Sequence, residues 1–181
     1  MCSIFGHINF SKHLINKSKF IEASNIMVHR GPDKNGYLSD ENKFQFAFNR
    51  LSILDLTESG DQPMISNCGR YVCIFNGEIY NYKQIFEEIR DKFKWNGTSD
   101  TEVLLNAWSV WNDKIFDRID GMFAFAIWDN ELQNLYIARD RMGEKPLYYY
   151  KQNNSLIFSS RPEAILKIFP ETSKNYENET L

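Results

Sequence analysis

Cysteine and histidine are scarce, with three of each in 181 residues. Cys2, Cys68 and Cys73 form an odd set without CxxC spacing, and His7, His13 and His29 lie far apart, so neither a zinc site nor a disulfide framework is expected. That cysteine usage points to a reducing compartment. No Lys/Arg cluster accompanies the formal net charge of -3, which leaves no electrostatic footprint for nucleic acid or an anionic membrane. No apolar run approaches the length of a membrane helix, and the start MCSIFGHINF is too short and too lightly charged for a signal peptide. There is no internal repeat and no Gly-rich phosphate loop, so nucleotide binding has no support within the chain. The expectation is a cytoplasmic protein acting on a small polar substrate.

What is present suits one large domain. Hydrophobic residues make up 43% and aromatics 15% of the chain, which is far from a disordered composition and allows a proper core. A first strand is predicted from Cys2 to Phe10. Ser11 is placed to cap a helix carrying Leu14, Ile15, Phe20, Ile21, Ile26 and Met27, which must end before the Gly31-Pro32 turn. The period-2 pattern over Phe44–Ile53 predicts a half-buried strand with Arg50 near its end. Asp55 to Pro63 reads as a loop. The strand Tyr71–Phe75 runs into Asn76-Gly77, a turn signal. Helices are predicted over Tyr82–Phe93 and Ser99–Trp111, with Asp100 in the second one's first turn, where a carboxylate favours the macrodipole. A β-meander follows: Met122–Trp128, Leu135–Arg139, Leu147–Tyr150 and Leu156–Ser159. A short helix over Pro162–Phe169 closes a domain spanning residues 2–169, and 170–181 reads as a polar tail or linker.

Chemistry concentrates at the start of the chain. If Met1 is removed, Cys2 carries a thiol and an α-amine on one residue, the minimum equipment of an N-terminal nucleophile hydrolase. Their ordinary pKa values, roughly 8 for the amine and 8.5 for the thiol, let modest local effects make either one reactive near neutral pH. Other residues supply what an amide hydrolase for a free amino acid needs. Arg50 can hold an α-carboxylate in a bidentate fork. Asp100 or Glu78 can receive an α-ammonium. Asn76-Gly77 offers a side-chain amide beside an unobstructed backbone N–H for the oxyanion of a tetrahedral intermediate. His29 and Asp33 read as scaffolding, Arg139, Asp140, Arg141 and Lys145 as structural ion pairs or a contact surface, and Cys68 and Cys73 as inert thiols.

Seven ordered blocks carry a family resemblance: MCSIFG, HRGPDKNG, NRLSILDL with GDQPM, FNGEIYNY, GTSDTEVLL, GMFAFAIWD and RDRMGEKPLYYY. Over residues 2 to about 160 the chain resembles the glutaminase domain of class II, N-terminal nucleophile glutamine amidotransferases, most of all that of glutamine-dependent asparagine synthetase. The resemblance implies an α+β, four-layer αββα sandwich of two mainly antiparallel sheets. It implies that Cys2 is the nucleophile and its α-amine the base, that Arg50 and the main chain of Leu51, Ser52 and Ile53 hold glutamine, that Asn76 and Gly77 form the oxyanion hole, and that Glu78 and Asp100 receive the α-amino group. Glutamine would be hydrolysed through a γ-glutamyl thioester, and its ammonia passed to an ATP-dependent synthetase domain or partner. The SGGxDS-type motif of such a domain does not occur in these residues, so ATP and magnesium are expected only outside this chain, which itself needs no cofactor or metal. Where the family reads FASE-x-KAL, this chain has Phe158-Ser159-Ser160-Arg161-Pro162, which bears on the ammonia acceptor and the docking surface. A homodimer, a non-catalytic scaffolding domain of the same fold, and a hydrolase of another amide are the alternatives left open.

Overall fold

A computed structural model describes residues 1–11, 13–40 and 42–171, and the tail beyond residue 171 lies outside them. Nine strands and four α-helices run in the order β1 (Ser3–Asn9), α1 (Lys17–Asn25), β2 (Lys34–Asp40), β3 (Phe44–Arg50), β4 (Met64–Ile65), β5 (Tyr71–Ile79), α2 (Tyr82–Ile89), α3 (Asp100–Trp111), β6 (Gly121–Asp129), β7 (Asn134–Arg139), β8 (Tyr148–Gln152), β9 (Ser155–Ser159) and α4 (Pro162–Ile168). The strands form two antiparallel sheets, β2-β3-β1-β9-β8 and β4-β5-β6-β7.

Side-chain alternation along the strands dictates the layering. Ile4, Ile8, Phe44, Phe46, Phe48 and Phe158 from the first sheet meet Val72, Ile74, Ala124, Ala126 and Trp128 from the second in one core between the sheets. The opposite residues of the first sheet, Phe5, Ala47 and Ile157, pack with Phe20, Ala23 and Met27 of the α1 region and Ala164 and Ile165 of α4. Those of the second, including Cys73, Phe75, Phe125 and Ile127, pack under Ile85 and Ile89 of α2 and Val103, Leu104, Ala107 and Trp108 of α3. The result is helices, sheet, sheet and helices, the four-layer αββα arrangement that the resemblance implies.

Several expectations are corrected. Strand β3 is buried along all seven residues, not half-buried, because the helix layer covers its second face, where its polar side chains find some of their partners. Gln45 Nε2 donates to Ile15 O (2.8 Å), and Asn49 Nδ2 donates to Ser3 Oγ (2.8 Å) and Ser24 O (3.1 Å). Helix α1 starts at Lys17 behind Asn16, whose Oδ1 accepts from Ser18 N (3.0 Å), and Ser11 is not its cap. The residues before it are held extended, Ile15 N donating to His7 Nδ1 (3.5 Å) while its carbonyl accepts from Gln45. Asn76-Gly77 is not a turn. Both residues lie inside β5, paired with Ala124 and Phe123, because the β6 ladder continues past them to Gly121. The four late strands are not one meander either: β6 and β7 pair in the second sheet, whereas β8 and β9 join the first.

Gly6 marks the tightest point of the first sheet. A Cβ there would stand 2.0 Å from the Phe158 ring, which lies opposite it in the β1–β9 register. Gly6→Ala should therefore destabilise the protein by on the order of 1–3 kcal/mol through overpacking. Adding Phe158→Leu should recover part of that loss, read from urea midpoints of the single and double variants. Simple additivity of the two losses would count against the clash.

Candidate active site

The inter-sheet core turns polar at one end. Strand β1 runs antiparallel to β3 with Ser3 opposite Asn49, so the β1 start brings Cys2 beside the β3 end at Arg50, and both sit on the face that carries Ile4 and Phe48. Asn76 follows Val72 and Ile74 on the facing side of β5. Across β5 stands the start of α3, where Ser99 Oγ accepts from Glu102 N (3.2 Å) and Glu102 accepts in turn from the N–H groups of Asn96 and Gly97 (2.8 Å each). This variant of a capping box fixes where Asp100 begins the helix.

Cys2, Arg50, Leu51, Ile53, Gly77, Glu78 and Asp100 line one small cavity of about 70 Å³, together with Phe48, Gln62, Phe75 and Thr101. Ser52 and Asn76 do not line it. Ser52 N donates to Asp33 Oδ2 (2.7 Å), and Asn76 is buried beside the lining residues with its Nδ2 unpartnered. A larger open hollow of about 470 Å³, lined by Leu38, Phe44, Ile65, Val72 and others, contains neither a thiol nor a guanidinium.

Among the described residues Cys2 Sγ is hydrogen-bonded only to the Leu51 main chain, accepting from Leu51 N at 3.3 Å and donating to Leu51 O at 3.5 Å. Burial pushes the thiol above its usual value, and the Leu51 N–H and nearby Arg50 offset this in part. Arg50 is itself buried. Its Nη1 donates to Thr57 O (2.9 Å) and Asp61 Oδ1 (2.7 Å), and its Nη2 donates to Asp55 O, which leaves Nε and one Nη2 hydrogen as a side-on fork. Gly60 lies so close to this guanidinium that it has no room for a side chain.

Burial raises Asp100 to about 6, the neighbouring carboxylate of Glu78 adding to the rise and the hydrogen bond from Ile79 N (3.0 Å) opposing it. Glu78 is only half-buried. No group of three or more His, Cys, Asp or Glu that could hold a metal occurs among the described residues.

Three supporting residues had no role in the sequence reading. Gln62 Oε1 accepts from Phe75 N (2.6 Å) and its Nε2 donates to Thr101 Oγ1 (3.2 Å), tying the loop to β5 and α3 at once. Asp55 Oδ2 accepts from Thr98 N (2.8 Å), clamping the same loop to the segment before α3. Arg30 Nε donates to Cys2 O (3.3 Å). Their only signal was membership of the quoted blocks, since each acts on a partner distant in sequence. His29 is exposed and bonds Ile26 O and Arg161, and Asp33 holds Ser52, so both are scaffolding contacts. Cys73 is fully buried, which pushes its thiol far up, and Cys68 is exposed.

The family described as "Glutamine amidotransferase domain" matches residues 1–181. The chain belongs to this family. It is 42% identical over 172 residues to "Asparagine synthetase [glutamine-hydrolyzing] 1" of Bacillus subtilis (strain 168), which covers 92% of this chain and 27% of that protein. It is 35% identical over 170 residues to "Asparagine synthetase B [glutamine-hydrolyzing]" of Escherichia coli (strain K12), covering 93% of the chain and 30% of that protein. The glutamine amidotransferase domain thus spans less than a third of the length of these curated relatives. Among solved structures, glutamine phosphoribosylpyrophosphate amidotransferase from B. subtilis superposes with a TM-score of 0.74 at 17% identity, covering 93% of this chain and 44% of that one. That likeness bears on the fold alone.

Asp100 gives this domain a pH-dependent weakness. A carboxylic acid whose folded value (about 6) exceeds its ordinary one (3.8) binds its proton more tightly in the folded state. Its contribution is most favourable below the lower value and is lost as pH rises through the higher one. At neutral pH Asp100 therefore costs on the order of 2–3 kcal/mol. Asp100→Asn should stabilise the domain at neutral pH by on the order of 1–2 kcal/mol, after loss of the favourable macrodipole contribution. Below pH 4 that gain should vanish, and denaturant melts at the two pH values check it.

Proposed function

We propose that this domain hydrolyses the side-chain amide of L-glutamine through a Cys2 γ-glutamyl thioester, supplying ammonia to an ATP-dependent, asparagine-synthetase-like amidation. The observation that carries the reading is a pair of incomplete groups at one end of the inter-sheet core. The Cys2 thiol has no histidine or carboxylate bonded to it, and the buried Asn76 Nδ2 has no acceptor. A thiol raised by burial needs a base. With Met1 removed, the Cys2 α-amine supplies one on the same residue. A buried amide donor without a partner costs about 1–3 kcal/mol, and an oxyanion formed beside it repays that only during reaction.

The steps follow from these positions. The Arg50 Nε/Nη2 fork takes the glutamine α-carboxylate, with the Leu51, Ser52 and Ile53 main chain as the wall, and the Asp100 and Glu78 carboxylates take the α-ammonium. Sγ attacks the side-chain carbonyl as its proton passes to the α-amine. The oxyanion is held by Asn76 Nδ2 and the Gly77 N–H. Collapse breaks the C–N bond, the amine's proton leaves with ammonia, and water then cleaves the thioester to glutamate. ATP, magnesium and the acceptor carboxylate belong to a synthetase part beyond these residues, in keeping with the length of the relatives. A cytoplasmic location fits this chemistry, and no helix of the described residues is long and apolar enough to cross a membrane.

Protein made in the cytosol should show loss of Met1 by intact mass and release ammonia from glutamine. Cys2→Ala should lower that release by on the order of 10⁴-fold or more. Comparable turnover in the variant, or full activity with Met1 retained, would refute the mechanism. Arg50→Lys should raise the glutamine KM about tenfold with a smaller change in kcat, because a point charge cannot reproduce the fork. An unchanged KM would remove Arg50 from the carboxylate site.

A further inference from the structure

Lys145 lies buried (6% exposed) in the connection between β7 and β8. Among the described residues its Nζ has one hydrogen-bond partner, Met1 Sδ at 3.5 Å, and forms no ion pair. Buried ammonium groups are seldom left this way, because a thioether replaces little of the hydration lost. The loop around it shows why no anion answers the charge. Asp140 accepts from the backbone N–H groups of Phe123 (3.2 Å), Glu144 (2.8 Å) and Lys145 (3.0 Å), and the adjacent carboxylate of Glu144 is exposed and forms no ion pair with Lys145 among the described residues. Arg139 Nη2 donates to Gly143 O (2.7 Å) and Arg141 Nη2 to Phe116 O (3.4 Å). Among the described residues this charged run forms no ion pair, since Arg139, Asp140 and Arg141 are committed to main chain. Asp140 instead fixes the backbone from which Lys145 reaches the N-terminus. Two residues on, Leu147 enters the inter-sheet core against which Cys2 packs. Met1 is peptide-bonded to the Cys2 nitrogen, so this contact brings Nζ to the residue whose removal creates the new α-amine.

We propose that Lys145 is a positioning residue for the nucleophile: its ammonium disfavours the protonated form of the Cys2 α-amine and so holds that amine ready as the base. The inference rests on the glutaminase reading above. The thiol proton passes to the amine as the S–C bond forms and then to the departing nitrogen, and an amine already protonated cannot begin that transfer. A like charge within about 6 Å of a half-buried amine disfavours its charged form by about one pH unit. The other charged or titratable groups around residue 2 are Arg30 from the turn before β2, Arg50 from β3, the anionic Glu78 from β5 and Asp100 from α3, with Tyr148 of β8 and Arg161 before α4 beside Arg30. The two carboxylates act in the opposite sense. Arg30, Arg50 and Arg161 each donate to a carbonyl or carboxylate, and Lys145 alone among these cations does neither.

The test compares processed wild type, Lys145→Met and Lys145→Arg, each verified by mass to lack Met1. Competitive acylation of the Cys2 α-amine with acetic anhydride across the neutral range, read by peptide mass spectrometry, titrates the amine without requiring turnover. The acid limb of kcat/KM for glutamine is followed in parallel. Lys145→Met should move both midpoints about one pH unit upward, and Lys145→Arg should restore them. Its melting temperature should not fall, because an apolar side chain replaces an unpaired buried charge. Identical titrations in wild type and Lys145→Met would overturn the inference whatever the activity, and so would a lowered melting temperature with unmoved midpoints. A wild type that shows the Lys145-dependent titration but releases no ammonia would overturn the proposed function and leave this inference standing.

Discussion

The guanidinium of Arg50 organises the whole approach to Cys2. A charge buried at the end of β3 has to be met by acceptors, and the chain meets it by folding residues 51–61 back so that Asp55 O, Thr57 O and the Asp61 carboxylate close around it. Everything else in the loop follows from that closure. Leu51 N–H is delivered to Cys2 Sγ, Ser52 to Asp33, Asp55 to Thr98 and Gln62 to Phe75 and Thr101. Breaking a buried pair by removing one partner costs on the order of 3–5 kcal/mol in other proteins, so the site and the local fold share one anchor.

Around that anchor the domain keeps groups that work against its stability. The Asp100 carboxylate would be more comfortable protonated, Asn76 Nδ2 lacks an acceptor, and the Lys145 ammonium lacks an anion. A core selected only for stability would replace each with an apolar or paired residue. All three stand around residue 2. Other buried polar atoms without a partner among the described residues, such as Trp108 Nε1 and Asn106 Nδ2 on α3, belong to residues that do not line the cavity of Cys2, which is why an orphaned atom points to function only in company.

Local patterns carried most of the fold and less of the site. Alternation and helical spacing located seven of the nine strands at least in part, because β-branched and aromatic residues dominate them, whereas the polar β2 (KNGYLSD) and the two-residue β4 have no such pattern to read. Where the reading failed, a distant partner had decided. Asn76-Gly77 has turn chemistry yet is captured by β6, Ser11 has cap chemistry yet Ile15 is held by Gln45 and His7, and β3 looks half-polar until α1 covers it. The motif blocks hold Cys2, Arg50, Leu51, Ile53, Gly77, Glu78 and Asp100, which line the cavity, and also Ser52 and Asn76, which do not, without saying how they meet. Arg30, Gln62 and Asp55 stayed unassigned for the same reason: each is ordinary in its own segment and specific only across a distance of tens of residues.

That distance has a consequence for how the site is assembled. The groups around Cys2 come from β1, β3, β5, α3, the turn before β2 and the β7–β8 connection, and no two adjacent elements supply a working subset. Cys2 and Arg50 belong to one sheet, while Asn76, Gly77 and Glu78 belong to the other. Asn76 and Gly77 can come to the Cys2 side only when Phe44, Phe46 and Phe48 have docked on Val72, Ile74 and Trp128. Each of those phenylalanines contributes about 1.5–3 kcal/mol by burial, so the sheet interface is strong enough to hold the site together. The Cys2 thiol is thereby brought to the β5 residues only in the fully packed state, whereas its neighbour Arg50 comes with its own sheet.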